Sequence, residues 1–304
     1  MNWQHVFFGA VLLLVGCSSV PTEKRPPDPV GDVVLVSPTV SVVPKVGLVL
    51  GGGAARGFAH IGVIQALEEA GIAVDLVVGT SAGSVVAALH ASGKNGTELQ
   101  RVALSMEEAS FSDWRLPLFT PGIIKGEALA RFMRVQVDAK QIQDLPMRLG
   151  IVATDLQSGQ GILFQRGDVA TAVRASSAIP AVFQPVMISG RDYVDGGLVA
   201  PVPVSYARQM GADVIIAVDI SAEPQASATQ DSFQILMKTF AIMGSNINRF
   251  ELRDADVVIK PSLQGLSSAS FTSRNQAIAA GRQAMREMLG KLRTVLQSKT
   301  RQKG

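Results

Sequence analysis

From Lys45 onward, short runs of aliphatic and β-branched residues alternate with longer segments of helical periodicity. The runs predict strands at Val46 to Leu50, Asp75 to Gly79, Leu149 to Thr154, Gly161 to Gln165, Asp213 to Val218 and Asp256 to Lys260. Most are apolar throughout, which is the pattern of strands buried on both faces of a parallel sheet. The spacing between them predicts helices over Ala55 to Ala70, Ser84 to Ala91, Thr97 to Met106, Gly126 to Val135, Val169 to Ala175, Val204 to Gln209, Ser232 to Glu251 and Arg274 to Leu296. Strands alternating with helices in this way predict an α/β fold with three layers, α/β/α, around a mostly parallel central sheet. In the last helix Ile278, Met285, Met288, Leu289, Leu292, Val295 and Leu296 share one stripe, so it is expected to pack on the body with its basic face outward. No internal repeat or second linker interrupts residues 45–304, which read as one domain.

Composition narrows the classes. With 47% hydrophobic and 17% charged residues in 304, the chain is neither disordered, coiled coil nor collagen-like. One cysteine excludes an intrachain disulfide, and with three histidines no Cys/His metal site is expected. The net charge of +3 is unevenly spread, since the 23 residues from Arg282 carry +6 and the remainder −3. Basic residues are therefore concentrated in the tail, without the interleaved aromatics of a nucleic-acid-binding face, and no nucleic-acid partner is expected.

The N-terminus reads as a targeting segment. Val6 to Val15 is a ten-residue apolar run, too short to span a bilayer and suited to a signal-peptide core over residues 1–16. Leu14-Val15-Gly16-Cys17 resembles a bacterial lipobox, which implies lipidation of Cys17 and a membrane anchor at that residue. Ser18 after the cysteine is similar to lipoproteins sorted to the outer membrane of a Gram-negative envelope, where the body would face the periplasm. Residues 17–44 are rich in Pro, Ser, Thr and Val, the composition of an extended tether.

Two glycine-bearing segments carry the chemistry. In Gly79-Thr80-Ser81-Ala82-Gly83 a serine lies between an expected buried strand and an expected helix, the setting of a nucleophile elbow. Small residues on either side let the strained turn close, and the helix N-terminus faces the attacked carbonyl. The second segment, Gly51-Gly52-Gly53-Ala54-Ala55-Arg56-Gly57, follows a strand and opens a helix, so its amides suit an anion. It fits neither a G-x-G-x-x-G fingerprint in either register nor a P-loop. An oxyanion hole fits better, with the amides of Gly52, Gly53 and Ala54 meeting the charge formed when Ser81 attacks an ester. Arg56 adds positive charge or buttresses this loop on one reading, and is a solvent-facing or salt-bridged arginine on the other.

A base for Ser81 is not supplied by histidine. His5 lies in the signal segment, and His90 is nine residues along the same helix, about 13 Å away. His60, on the helix after the glycine loop, is expected to be a packed or surface residue. None follows residue 90, so the Ser…Asp…His order of ordinary α/β-hydrolases is absent. What remains is Asp195 in Tyr193-Val194-Asp195-Gly196-Gly197, a glycine turn after a strand-like stretch, able to act as base or to orient the nucleophile. Asp155 and Asp219, at strand ends, and Asp213 and Asp256, at strand starts, are expected to be structural. Ala109 to Ile124 reads equally as a lid or acyl-chain contact and as a surface loop.

A glycine loop with Arg56, the G-x-S-x-G elbow and the D-G-G turn, in that order, resemble the patatin-like phospholipase family. The similarity extends from about Lys45 to Ser262 and takes in Arg174-Ala175-Ser176-Ser177-Ala178-Ile179-Pro180 and Ala212 to Asp219. The resemblance implies a patatin-like fold and a dyad of Ser81, as nucleophile, and Asp195. It also implies an oxyanion loop at Gly52, Gly53 and Ala54, where many members have glycine in place of Ala54. It further implies hydrolysis of phospholipid, lysophospholipid or related lipid esters through an acyl-enzyme, with no metal or cofactor. A lipid-binding lipoprotein or an acyltransferase built on the same residues are the alternative readings.

Overall fold

The computed structural model describes residues 40–105, 125–221, 232–264 and 273–303. The signal and lipidation segment with Cys17, most of the tether, and the stretch Ala109 to Ile124 lie outside the described residues. Among the described residues ten strands run in chain order: β1 (Val40–Val42), β2 (Val46–Leu50), β3 (Leu76–Thr80), β4 (Arg148–Asp155), β5 (Gly161–Phe164), β6 (Val186–Ile188), β7 (Arg191–Asp195), β8 (Val214–Val218), β9 (Val257–Ile259) and β10 (Arg301–Lys303). The helices are α1 (Phe58–Glu69), α2 (Ala82–Ala91), α3 (Gly96–Ser105), α4 (Glu127–Gln136), α5 (Val169–Ser176), α6 (Val204–Gln209), α7 (Ser232–Glu251) and α8 (Arg274–Lys299).

Eight strands form the main sheet, connected by pairing in the order β6-β7-β4-β3-β2-β8-β9, with β5 on β4. The pairs from β4 through β3, β2 and β8 to β9 are parallel, whereas β5, β6 and β7 are antiparallel to their neighbours. The apolar runs are explained by burial on both faces. Val46, Leu48 and Leu50 of β2 and Ile216 of β8 enter a large core beneath α1, α2, α4, α5 and α8, while Val49, Val78 and Ile215 enter a second core under α6. The expected α/β/α layering is therefore observed. The sequence pattern misses β6 and gives β7 only as a strand-like stretch, because both are short and carry polar residues such as Arg191 and Asp192.

The longest helix is held by an unusually close crossing. A Cβ at Gly62 of α1 would lie 1.8 Å from the Ile278 carbonyl oxygen, and one at Gly281 of α8 would lie 1.9 Å from that of Ala59. Only two glycines let these backbones approach so closely. Ile278, Met285 and Leu292 are buried as the stripe requires. The basic side of α8 departs from expectation, since it is not simply turned outward. Arg282 and Arg286 both pair with Glu69 (3.6 and 2.8 Å), and Lys299 pairs with Asp256 (2.5 Å). Part of the tail's positive charge is thus neutralised by the acidic body. No helix among the described residues is long and apolar enough to cross a membrane.

Because the clash at Gly281 is with backbone, Gly281→Leu should lower stability by about 3 kcal/mol, an overpacking penalty at the upper end of the usual range. Denaturant unfolding of this variant beside the parent measures it.

Candidate active site

Strand β4 acts as a ruler that brings two distant segments together. Its Ile151–Thr154 stretch is occupied on one edge by β5, which leaves the other edge to β3 and β7 in turn. Thr80, the last residue of β3, stands opposite Val152, and Asp195, the last residue of β7, stands opposite Ala153. Two strands of opposite direction therefore end against consecutive residues of β4. Ser81, one residue past Thr80, is delivered beside Asp195, and its Oγ donates to Asp195 Oδ2 at 2.7 Å.

The elbow conformation is local in origin. Ser81 has φ 51° and ψ −124°, a strained geometry for a residue with a side chain. The turn fits only because its flanks have no side chain: a Cβ at Gly79 would meet the Gly83 carbonyl oxygen at 2.5 Å, and one at Gly83 would meet that of Leu50 at 2.0 Å. Helix α2 then begins at Ala82, immediately after the serine, earlier than the Ser84 expected from periodicity.

Where β3 gives way to β7 the ladder is interrupted, and Ser176 at the end of α5 fills the gap. Its Oγ donates to the Val152 carbonyl at 2.6 Å and accepts the Ser81 N–H at 2.9 Å. Asp195 is fixed with equal completeness. Its N–H donates to the Ala178 carbonyl (3.0 Å), its carbonyl accepts from Thr154 Oγ1 (2.8 Å), and its Oδ1 accepts the Gly197 N–H (2.7 Å). Gly196 lies where a Cβ would be 2.2 Å from the Val152 oxygen. Burial raises the Asp195 carboxyl to about 6, against the opposing hydrogen bonds from Ser81 and Gly197. A carboxylate near that value holds a proton far better than an exposed aspartate does, and so can take one from a hydroxyl more readily.

The glycine loop passes over the serine: a Cβ on Gly52 would lie 3.3 Å from Ser81 Cβ. One sequence expectation needs correction here. The Gly52 amide donates to the Pro201 carbonyl at 2.9 Å, so it is committed to holding the loop. Gly53 and Ala54 keep amides that donate to no described residue. Arg56 is a buttress. Its Nε and its own N–H both donate to the Gly53 carbonyl (3.3 and 3.2 Å), and in a trans peptide that directs the Ala54 N–H the opposite way. Burial lowers the Arg56 pKa, with Asp219 opposing.

His60 is wholly buried under this loop, its Nε2 2.8 Å from the Gly51 carbonyl. Desolvation depresses it to about 4, which keeps the ring neutral and Nε2 a donor to that carbonyl near neutral pH. Neither Ser176 nor His60 had a catalytic signature in sequence; the available signals were the small-residue stretch around Ser176 and an apolar helix face at His60. The expected structural aspartates are bonded away from the dyad. Asp155 pairs with Arg191 and accepts the Gln157 N–H (2.9 Å), and Asp219 pairs with Lys260 (3.4 Å) and accepts the Ser221 N–H (3.0 Å). No group of three His, Cys, Asp or Glu among the described residues is placed to hold a metal.

An apolar slot opens beside the loop and the elbow. It starts at Ala54 and Ala82 and runs between α1, α2, α3 and α4 past Val86, Leu89, Leu99 and Leu129, enclosing about 550 Å³ with its open mouth included. Its lining is almost wholly apolar, which suits an apolar ligand.

The two buried titratable groups act on stability with opposite signs. His60, depressed from 6.5 to about 4, destabilises the fold as pH falls through that window, because the unfolded chain binds the proton first. Asp195, raised from 3.8 to about 6, stabilises it over an overlapping window, because the folded chain binds first. Between pH 7 and 4.5, Asp195→Asn should therefore lose about 2 kcal/mol more stability than the parent, and His60→Gln about 2 kcal/mol less. Denaturant unfolding at the two pH values checks both.

Comparison with known proteins identifies the family. The family model described as patatin-like phospholipase matches residues 48–208. An uncharacterised NTE family protein of Mycobacterium tuberculosis is 38% identical over 192 residues, 61% of this chain and 51% of that protein. Lysophospholipase nte1 of Aspergillus fumigatus is 36% identical over 181 residues, 58% of this chain and 12% of that protein. The chain thus spans about half the length of the mycobacterial relative and a small part of the fungal one. Among solved structures, the ExoU-SpcU complex of the Pseudomonas aeruginosa type III secretion system matches with a TM-score of 0.50 and 19% identity, over 86% of this chain and 54% of that one, a likeness of fold. With the family model covering more than half of its residues, glycine loop and elbow included, this chain belongs to the patatin-like phospholipase family.

Proposed function

We propose that this protein is a serine acyl hydrolase that cleaves fatty-acyl esters of phospholipids, lysophospholipids or related lipids through an acyl-enzyme, with Ser81 and Asp195 as a catalytic dyad. The observation that carries the reading is the 2.7 Å hydrogen bond from Ser81 Oγ to Asp195 Oδ2 at a strained elbow. Asp195 takes the serine proton as Oγ attacks the ester carbonyl, then returns it to the departing alcohol. Asp195 then takes a proton from water as the water attacks the acyl-enzyme carbonyl, and passes it to Ser81 Oγ as the acyl–Oγ bond breaks, which releases the fatty acid. The Gly53 and Ala54 amides meet the oxyanion, assisted by the N-terminus of α2. The acyl chain lies in the slot leading from Ala54 and Ala82. Family membership and a relative named a lysophospholipase support the substrate class. The apolar leader and Cys17 would hold the enzyme by a lipid at an envelope membrane, the outer one on the lipobox reading, where such esters are found.

A fluorescent fluorophosphonate tests the assignment. The parent chain should be labelled and Ser81→Ala should not, while Asp195→Asn should label at least 100-fold more slowly, the scale expected for loss of a general base. The labelling rate of the parent should climb with pH through about 6, as Asp195 loses its proton, and level off above it. A folded parent that is not labelled, or a rate indifferent to Asp195, would contradict the reading.

A further inference from the structure

Exposed apolar side chains gather on α7. Among the described residues nine large hydrophobic side chains are exposed, and four of them, Ile235, Ile242, Met243 and Phe250, lie on this helix, while the other five are scattered over five segments. Single exposed residues are ordinary on a protein surface, whereas a group of them marks an interaction site. At 3.6 residues per turn the four share an arc of about 100°, in which Thr239 and Asn246 add polarity without charge. The opposite side seats the helix. A Cβ at Gly244 would lie 3.3 Å from Pro201 Cγ, and buried Asn248 accepts the Val202 N–H at 3.1 Å and donates to Ser221 Oγ at 2.8 Å. Pro201 also holds the Gly52 amide, and α7 packs on the turn Gly196–Leu198 that follows Asp195. The exposed arc therefore belongs to a helix fixed to both segments of the candidate site.

Charge decides what covers this arc. Residues 232–250 hold Lys238 and Arg249 and no acidic residue. The two cations lie about three turns apart, on one edge of the arc. Glu251, the next acid, is turned to the body, where it accepts the N–H and the hydroxyl of Ser205 at 2.9 and 3.0 Å. Beyond it Arg253 stacks on Phe250 at 5.0 Å, and Asp254 offsets its charge. A second copy of the chain set against this arc would bring like charges together, whereas an anionic surface attracts them. An apolar arc edged by cations and free of acids is the pattern of a helix that lies along the interface of a bilayer.

We propose that α7 docks side-on on an anionic lipid surface, with Ile235, Ile242, Met243 and Phe250 entering the boundary of the acyl chains and Lys238 and Arg249 meeting the head groups. Docking holds Pro201 and the turn after Asp195 about one helix diameter (10–12 Å) from that surface. It goes beyond the acyl-hydrolase reading and is independent of it, since no turnover is involved.

The test uses the full chain with a fluorophore at one chosen point. Cys17→Ser removes the one cysteine, and Met243→Cys on α7, or Met187→Cys on β6 as the control, then carries an environment-sensitive label. Met187 is 73% exposed and lies on another element, so it reports any contact with lipid that α7 does not make. On equimolar phosphatidylglycerol and phosphatidylcholine vesicles the label at 243 should brighten, shift to the blue and be quenched by brominated acyl chains, while the label at 187 should not respond. Half of that response should need about tenfold more lipid when the vesicles are phosphatidylcholine alone, because the attraction of two cations is then lost. Adding Arg249→Gln should raise the requirement for anionic lipid about fivefold. Adding Ile242→Ser with Phe250→Ser should raise it at least about tenfold through lost apolar contact. All these positions are exposed, so denaturant unfolding of each variant should match the parent and a weaker response cannot be ascribed to misfolding. No response at 243, an equal response at 187, or an equal response to neutral and anionic vesicles would overturn the proposal. So would a label at 243 that is already blue in buffer: dependence on protein concentration would assign the arc to a second copy, and independence of it to another segment of this chain.

Discussion

Everything at the site depends on β4 carrying two strands end to end on one edge. A parallel strand that stops opposite Val152 and an antiparallel strand that stops opposite Ala153 bring residues 114 positions apart into contact. Side-chain period in a sheet is two, so a one-residue slip of β7 against β4 would turn Asp195 to the other face. The hydrogen bonds of Ser176, Thr154, Ala178 and Gly197 work against such a slip, because each fixes Ser81 or Asp195 to β4 or to a neighbouring segment. Thr80 Oγ1, which donates to the Ala200 carbonyl at 2.8 Å, adds a further link across the same junction.

On the proposed mechanism, the junction lets an aspartate serve where many hydrolases place a histidine. A carboxylate one hydrogen bond from the serine needs no third residue to orient it, provided that the backbone does the orienting and burial supplies the basicity. Both conditions come from one location, at the inner end of β7 under the turn of Gly196 and Gly197. The histidine that does lie nearby, His60, holds the glycine loop by the Gly51 carbonyl and is kept neutral by burial. On the proposed mechanism, positioning falls to His60 and proton transfer to Asp195.

Much of this was legible in the sequence because it depends on local rules. The elbow glycines, the glycine loop, the apolar strands and the D-G-G turn each have a short-range physical cause, and the chain meets each where its residues require. Pairings between distant segments were not legible. Nothing in the residues near Gly52 indicates that its amide is taken by Pro201, and nothing in α8 alone shows that Gly281 lies against Ala59 or that Arg282 and Arg286 return to Glu69. Ser176 was hidden for the same reason, because its role exists only once β3 and β7 meet.

The central claim is that Ser81 transfers an acyl group with Asp195 as its base, and trapping the intermediate tests it most directly. The full chain is mixed with an activated fatty-acyl ester, quenched in acid within milliseconds to seconds, and the Ser81 peptide is weighed by mass spectrometry. The account predicts an acyl adduct on Ser81 that forms and decays in the parent and that forms far more slowly in Asp195→Asn. An adduct on another residue, or turnover without any adduct on Ser81 and with full rate in Asp195→Asn, would contradict it.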